Sequence, residues 1–182
     1  RVTGLMSELG MDGGIFKMAV KLDTKAIPSA RGDDELDIRI SANPGHPPGP
    51  LNKIASGGEL SRISLAIKVA AIGDGQTRTQ IFDEVDAGIG GNTANAVGRL
   101  MQRLSENRPN GIGQALCVTH LAQVAVCASH QLQVTKTAEK DITMVDTRLL
   151  DRTSRVDEIA RMLSGVVSEQ SRAHAIELLE RV

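Results

Sequence analysis

Aromatic side chains are almost missing from this sequence, with two Phe, no Trp and no Tyr among 182 residues. Modules that grip single-stranded nucleic acid stack bases on aromatic faces, so that mode of binding is not expected. The core has to be assembled from Leu, Ile, Val, Ala and Met. A dominant charge is missing as well, since 21 Lys and Arg against 22 Asp and Glu leave a formal net charge of −1. Without a basic field, contact with DNA has to be local or come from other parts of a larger protein. Cysteine is scarce: Cys117 and Cys127 lie in apolar stretches with no Cys-x-x-Cys or histidine at ligand spacing, which reads as two buried free thiols. No apolar run approaches the roughly 18 residues of a membrane span and no secretory leader is visible, so a soluble cytosolic chain with no membrane partner is expected. The pattern G-x-x-x-x-G-K-S/T is absent too, and with it a lysine-bearing cradle for β- and γ-phosphates.

What remains suits one ordinary domain. Val2, Leu5, Met6 and Leu9 share a helical face and Gly10 suits a left-handed stop. Residues 1–10 therefore read as the end of a helix, expected to arrive from a coiled coil upstream, and residues 11–182 as one lobe. Phe16, Met18, Val20 and Leu22, then Leu36, Ile38 and Ile40, recur at a period of two, which predicts half-buried strands able to pair as a hairpin near the N-terminus. Residues 43–50 hold four of the six prolines and read as an ordered loop. Leu60, Ile63, Ile67 and Ala70 fall at helical spacing and predict an amphipathic helix to about residue 71. A short strand over 80–83 follows, then a helix through Val97, Leu100, Met101 and Leu104 with Asn92 or Thr93 as cap. The apolar run 115–119 is typical of a strand buried on both faces. Residues 121–128 suit a short helix, and 130–136 and 142–149 suit two strands around a polar turn at 138–141. Two capped helices starting near Ser154 and Ser168 close the chain. The alternation of strand and helix predicts an α/β fold whose central sheet is mostly parallel and flanked by helices.

Three stretches carry chemistry. Ser56-Gly57-Gly58-Glu59 opens a helix. Consecutive glycines remove the Cβ atoms that keep a ligand off the backbone, and a helix front end offers unpaired N–H groups to an anion. Such an end favours a negative charge by only about 0.3–1 kcal/mol when exposed, so it needs a partner surface to hold a nucleotide. Gln80-Ile81-Phe82-Asp83-Glu84 is an apolar strand ending in two acids. One carboxylate at a strand tip suits Mg²⁺, which prefers hard oxygen ligands and keeps several waters, and Asp83 fits that role. Glu84 could then polarise a water for attack on a γ-phosphate, work that contributes about 10²–10⁴-fold to a rate. Thr119-His120 ends the next apolar strand, and strand ends on one edge of a parallel sheet are where α/β proteins place ligands. Taken singly, Ser56 is an ordinary cap, the acids a solvated strand end and the histidine a packing residue. The ordered set is what carries information.

That order, with the glycine-rich Val85-Asp86-Ala87-Gly88-Ile89-Gly90-Gly91 between acids and histidine, resembles the distal half of an ABC ATPase head. The resemblance implies that Ser56, Gly57, Gly58 and Glu59 are the signature motif, closing in trans over ATP held by a second head. It makes Asp83 the Mg²⁺-bearing Walker B acid, Glu84 and His120 the catalytic pair, Asp86 the D-loop acid, and His120 the switch histidine. ATP and Mg²⁺ are the implied ligands. The implied partners are an N-terminal lobe bearing Walker A, a second head in a homodimer, and DNA reached through the full-length protein. Transporters follow Walker B with Pro and a Ser-Ala-Leu-Asp loop, whereas the loop here, with Leu51-Asn52-Lys53-Ile54-Ala55 before the signature and Val118-Thr119-His120-Leu121, is similar to SMC-like ATPases of bacterial double-strand-break repair. Ala122 stands where that group has Pro, and Leu132 where an aromatic is expected. The implied function is ATP-driven joining of two heads and their release on hydrolysis, in DNA double-strand-break repair and recombination, in the cytoplasm at the nucleoid. Lacking Walker A, the chain alone is expected to be inactive. An ATPase-like dimerisation or partner-binding module without turnover, and the motor subunit of an ABC transporter, are the other readings.

Overall fold

A computed structural model describes residues 1–22, 34–51, 56–71, 78–105, 107–108, 111–139 and 142–181. The chain divides into two units, Arg1–Gly73 and Asp74–Val182, and each is built on its own terms. Residues 52–55, and 140–141 of the expected polar turn, lie outside the described residues, whereas Ala138 and Glu139 are strand instead of turn, paired with Thr143 and Ile142.

The first unit contains α1 (Val2–Glu8), β1 (Ile15–Leu22), β2 (Asp34–Ser41), β3 (Gly49–Pro50) and α2 (Gly57–Ala70). The expected hairpin is present: β1 and β2 pair antiparallel with Phe16 opposite Ile40, Met18 opposite Ile38 and Val20 opposite Leu36. Directly opposed residues share a face, so these six side chains make one apolar surface, but the expected half-burial holds only towards Phe16, Ile38 and Ile40, while Met18, Val20 and Leu36 are exposed. Lys17 and Arg39 lie opposite one another on the other face, as do Lys21 and Glu35. The proline-rich loop behaves as expected except at its end, where Pro50 pairs with Arg39. A ring without an N–H is tolerated there because β3 is an edge strand. α1 packs on α2, and Leu5, Met6, Leu9, Ile63, Leu65, Ala66 and Val69 are all buried.

The second unit contains β4 (Arg78–Phe82), α3 (Gly91–Ser105), β5 (Asn107–Arg108), β6 (Gly111–Cys117), α4 (Ala122–Ala125), β7 (Leu132–Glu139), β8 (Ile142–Leu149), α5 (Arg152–Ser164) and α6 (Glu169–Glu180). The fold is α/β, but its sheets are small and mixed. β4 and β6 run parallel, β5 joins β6 antiparallel, and β7 with β8 forms a separate antiparallel pair. Among the described residues, β4–β6 is the one parallel pairing.

Three local expectations are corrected. The strand through 115–119 is not buried on both faces: Leu116 and Val118 are open, as is Ile81, which lies opposite Leu116. An apolar run signals burial on two sides only where both sides have a covering layer; here α3 packs against β6, and among the described residues Ile81, Leu116 and Val118 stay exposed. α3 begins at Gly91, which places Asn92 and Thr93 inside its first turn instead of at the cap. α5 begins at Arg152, capped by Asp151, whose Oδ1 accepts the Ser154 N–H at 2.7 Å. At α6 the expected cap holds, with Ser168 Oγ accepting the Ser171 N–H at 3.1 Å while the Ser171 hydroxyl accepts the Ser168 N–H at 2.8 Å. α5 and α6 then close on the α4 segment through buried Ala122, Ala125, Val126, Ile159, Ala160 and Ala175. Both cysteines are free, Cys127 buried and Cys117 only half-buried.

Candidate functional site

β4 ends at Phe82, and Asp83 and Glu84 follow it, both exposed. β6 runs alongside in the same direction with Cys117 opposite Phe82, and the ladder extends one step further as the Val118 N–H donates to the Phe82 carbonyl at 3.0 Å. Parallel register brings both carboxyl ends to one rim, so the two acids and Thr119-His120 leave the sheet side by side. The Glu84 N–H donates to Asp83 Oδ1 at 2.9 Å. Glu84 itself has φ = 57°, the one positive φ at a non-glycine position among the described residues. That left-handed conformation costs an L-residue about 1–2 kcal/mol. Strain of this kind concentrates at functional sites, where surrounding structure enforces it. The turn continues as the Ala87 N–H donates to the Glu84 carbonyl at 3.1 Å, and Gly88 takes φ = 71° without penalty.

Asp86 turns inward from this loop. Its side chain is 4% exposed, whereas that of His120 is 75% exposed. Asp86 Oδ2 accepts the Thr119 hydroxyl at 2.5 Å and the His120 N–H at 3.1 Å, and it lies 3.3 Å from His120 Nδ1. Thr119 Oγ1 in turn accepts the Leu121 N–H at 3.0 Å, so one buried carboxylate and one hydroxyl tie the strand end to the start of α4. Burial first, then the nearby carboxylates Asp86 and Asp83, pushes the Cys117 thiol up to about 12. It is therefore a packed, protonated thiol at neutral pH and no nucleophile. Among the described residues no group of three or more His, Cys, Asp or Glu is gathered to hold a metal.

The far end of α4 is held from α5. Arg155 Nη2 donates to the carbonyls of Ala125 at 3.2 Å, Val126 at 3.1 Å and Ala128 at 2.6 Å, capping the C-terminal end of the short helix, where the Ala125 carbonyl also accepts the Ala128 N–H at 3.2 Å. Gly98 of α3 permits the close approach of this segment: a Cβ there would sit 2.5 Å from Cys127 Sγ. Sequence reasoning found the acids and the histidine but missed the inward turn of Asp86 and the brace from Arg155. Both depend on partners about 30 residues away.

Ser56, Gly57, Gly58 and Glu59 belong to the first unit. Ser56 caps α2, its Oγ accepting the Glu59 N–H at 3.4 Å. Ser56 and Gly57 are exposed, Glu59 is half-buried and Gly58 is buried. Arg62, one turn further, is buried, and desolvation pulls its guanidinium below the usual range while Glu59 opposes that. The front end of the helix, with its unpaired N–H groups, is thus open at Ser56 and Gly57.

No protein-family model matches the chain. It is 45% identical over 181 residues to the DNA repair protein RecN of Xylella fastidiosa strain Temecula1, and 46% identical over 175 residues to the RecN proteins of Vibrio cholerae and Deinococcus radiodurans. Those alignments take in 99%, 96% and 96% of the chain. The chain belongs to the RecN family. It spans 32%, 30% and 29% of the length of those three relatives, about a third of each. Two solved Smc head domains share the fold. One, from Pyrococcus furiosus with an extended coiled coil and bound to the C-terminal domain of ScpA, has a TM-score of 0.52 at 16% identity, covering 88% of this chain and 36% of that one. The other, from Pyrococcus yayanosii with a coiled coil and joint, has a TM-score of 0.51 at 16% identity, covering 99% of this chain and 28% of that one. Among the described residues no helix is long and apolar enough to cross a membrane.

Proposed function

We propose that the chain is the C-terminal lobe of an SMC-like ATPase head that acts, within the full-length protein, in DNA double-strand-break repair and recombination. The observation that carries this reading is the rim shared by β4 and β6, where two exposed acids and an exposed histidine leave neighbouring parallel strands. In it Glu84 orients and activates the attacking water, His120 meets the γ-phosphate, and Asp83 holds Mg²⁺. The donor set fits that ion. Asp83 Oδ1 is engaged by the Glu84 N–H, which leaves the second carboxylate oxygen for a cation that keeps waters and takes further ligands from phosphates. Mg²⁺ bound there would neutralise charge on the transferring phosphoryl group.

Ser56, Gly57, Gly58 and Glu59 serve the opposite copy, closing over ATP on a second head and making nucleotide the link of a homodimer. The open front end of α2 supports that role. The Walker A lobe comes from the remainder of the protein, with residues 1–10 the end of a helix arriving from the coiled coil and 11–182 the signature-bearing lobe. The Walker A lobe would complete a larger, mostly parallel sheet and bring a layer over the uncovered side chains of Ile81, Leu116 and Val118. Hydrolysis then parts the heads and moves the attached coils relative to DNA at the nucleoid in the cytoplasm. The chain alone lacks the main phosphate grip and is expected not to turn over ATP.

In the full-length protein, Glu84→Gln is expected to accumulate as an ATP-bound head dimer in sedimentation, and Ser56→Arg to remain monomeric at the heads with ATP. Normal dimerisation of Ser56→Arg would overturn the trans role of the signature. Unimpaired hydrolysis by Glu84→Gln would overturn the catalytic assignment.

A further inference from the structure

Asp86 is a buried carboxylate whose Oδ2 accepts two hydrogen bonds, from the Thr119 hydroxyl and the His120 N–H just beyond β6, and among the described residues the basic group beside it is the His120 ring, with Nδ1 at 3.3 Å. A carboxylate oxygen can only accept, so the ring of His120, with Nδ1 3.3 Å from Oδ2, is favoured with its proton on Nδ1. That leaves Nε2 on the exposed side. A second proton there makes Nε2 a donor to a phosphate oxygen, and the resulting imidazolium already has its counter-charge in place. The logic matches the buried acid of a serine-protease triad, which orients its histidine and stabilises the cationic ring without taking up the proton.

Resting on the switch role of His120, we propose that Asp86 is a positioning residue that acts through that histidine: it sets the ring's tautomer, holds the strand-end peptide and carries the charge balancing imidazolium. Asp86 therefore serves its own head from within the fold and is not a group offered to the surface of a second one. Thr119 completes the arrangement, donating to Asp86 and accepting from the Leu121 N–H, so that the peptide before and after His120 is fixed to the same carboxylate.

The chemistry predicts distinct outcomes for two substitutions. In Asp86→Asn the His120 N–H is an obligatory donor, so the amide oxygen, not its NH₂, must occupy the place of Oδ2. Ring orientation survives and the counter-charge is lost. Asp86→Ala loses both. Thr119→Val removes one donor while leaving the carboxylate, and guards against the case in which an empty buried site simply fails to fold.

The test is a double-mutant cycle on ATP turnover by the full-length protein. We expect kcat to fall by about 10-fold in Asp86→Asn and about 100-fold in Asp86→Ala, with KM little changed, as for loss of alignment in the transition state alone. In a His120→Ala background, Asp86→Asn and Thr119→Val should produce no further fall, because residues that act through one partner are not additive with its removal. Wild-type kcat in Asp86→Asn, or a full additional loss in the His120→Ala background, would overturn the positioning role while leaving the head assignment intact. Wild-type turnover in His120→Ala would instead overturn the switch-histidine reading on which the role rests.

Discussion

Glu84→Gly separates the backbone at the rim shared by β4 and β6 from the side chain it carries. Glu84 sits at φ = 57°, in the left-handed region, and its side chain is exposed. The N–H bond to Asp83 Oδ1 and the carbonyl bond from Ala87 are both made by the backbone and survive the change. Relief of the left-handed conformation is worth about 1–2 kcal/mol. The extra freedom of glycine in the unfolded chain returns about 0.5–1 kcal/mol of that. The expected net gain is therefore about 0–1.5 kcal/mol, which for a chain of this size moves the unfolding midpoint upward by roughly 0–6 °C. Glu84→Ala is the control, since it removes the same carboxylate but keeps the Cβ and hence the strain. Thermal and urea unfolding of the three forms measures the difference. If Glu84→Gly is no more stable than Glu84→Ala, the strain argument is wrong. ATP turnover by the full-length protein should be lost in both, so a gain in stability would accompany a loss of function.

Two further perturbations address the supports of the site. Gly98→Val should lower stability by about 2 kcal/mol, because even the first added carbon lies 2.5 Å from Cys127 Sγ and α3 must move off the α4 segment; unchanged urea unfolding would contradict the close approach. Glu158, on α5, is held below its ordinary pKa first by hydrogen bonding to Arg161 and also by the Gln133 amide, against an opposing effect of burial. A carboxylate with a depressed folded pKa contributes stability above its unfolded value, near 4.5, and loses it as pH falls through the lower folded value. The acid limb of a stability–pH curve should therefore be shallower in Glu158→Gln, and an identical limb would remove the pair from the account.

Much of the fold and the site was legible because it rested on local pattern. The period of two through Phe16, Met18 and Val20 predicts the β1–β2 hairpin directly, and Ser56 before two glycines predicts the start of α2. The acids and His120 were legible from order along the chain, and parallel pairing of β4 and β6 brings them to one rim. What escaped were features decided by distant partners. The direction of the Asp86 side chain is set by Thr119, 33 residues on, and nothing within Val85–Gly91 encodes it. The start of β6 at Gly111 is masked by its glycines, one of which, Gly113, is required because a Cβ there would sit 2.0 Å from the Leu104 carbonyl oxygen. Asp151, Thr153 and Ser154 all offer acceptable caps for α5, and local chemistry alone does not rank them. The exposure of Leu116 and Val118 is invisible in an apolar run, which reports that a strand can be covered but not what covers it.

The brace from Arg155 makes the terminal helices a handle on the rim. Its guanidinium spans from α5 to three carbonyls at one end of the segment whose other end is bound, through Thr119, to Asp86. A load that shifts α5 against the sheet, whether from a docked neighbour or a pull along the chain, reaches the peptide of His120 through a strut only one short helix long.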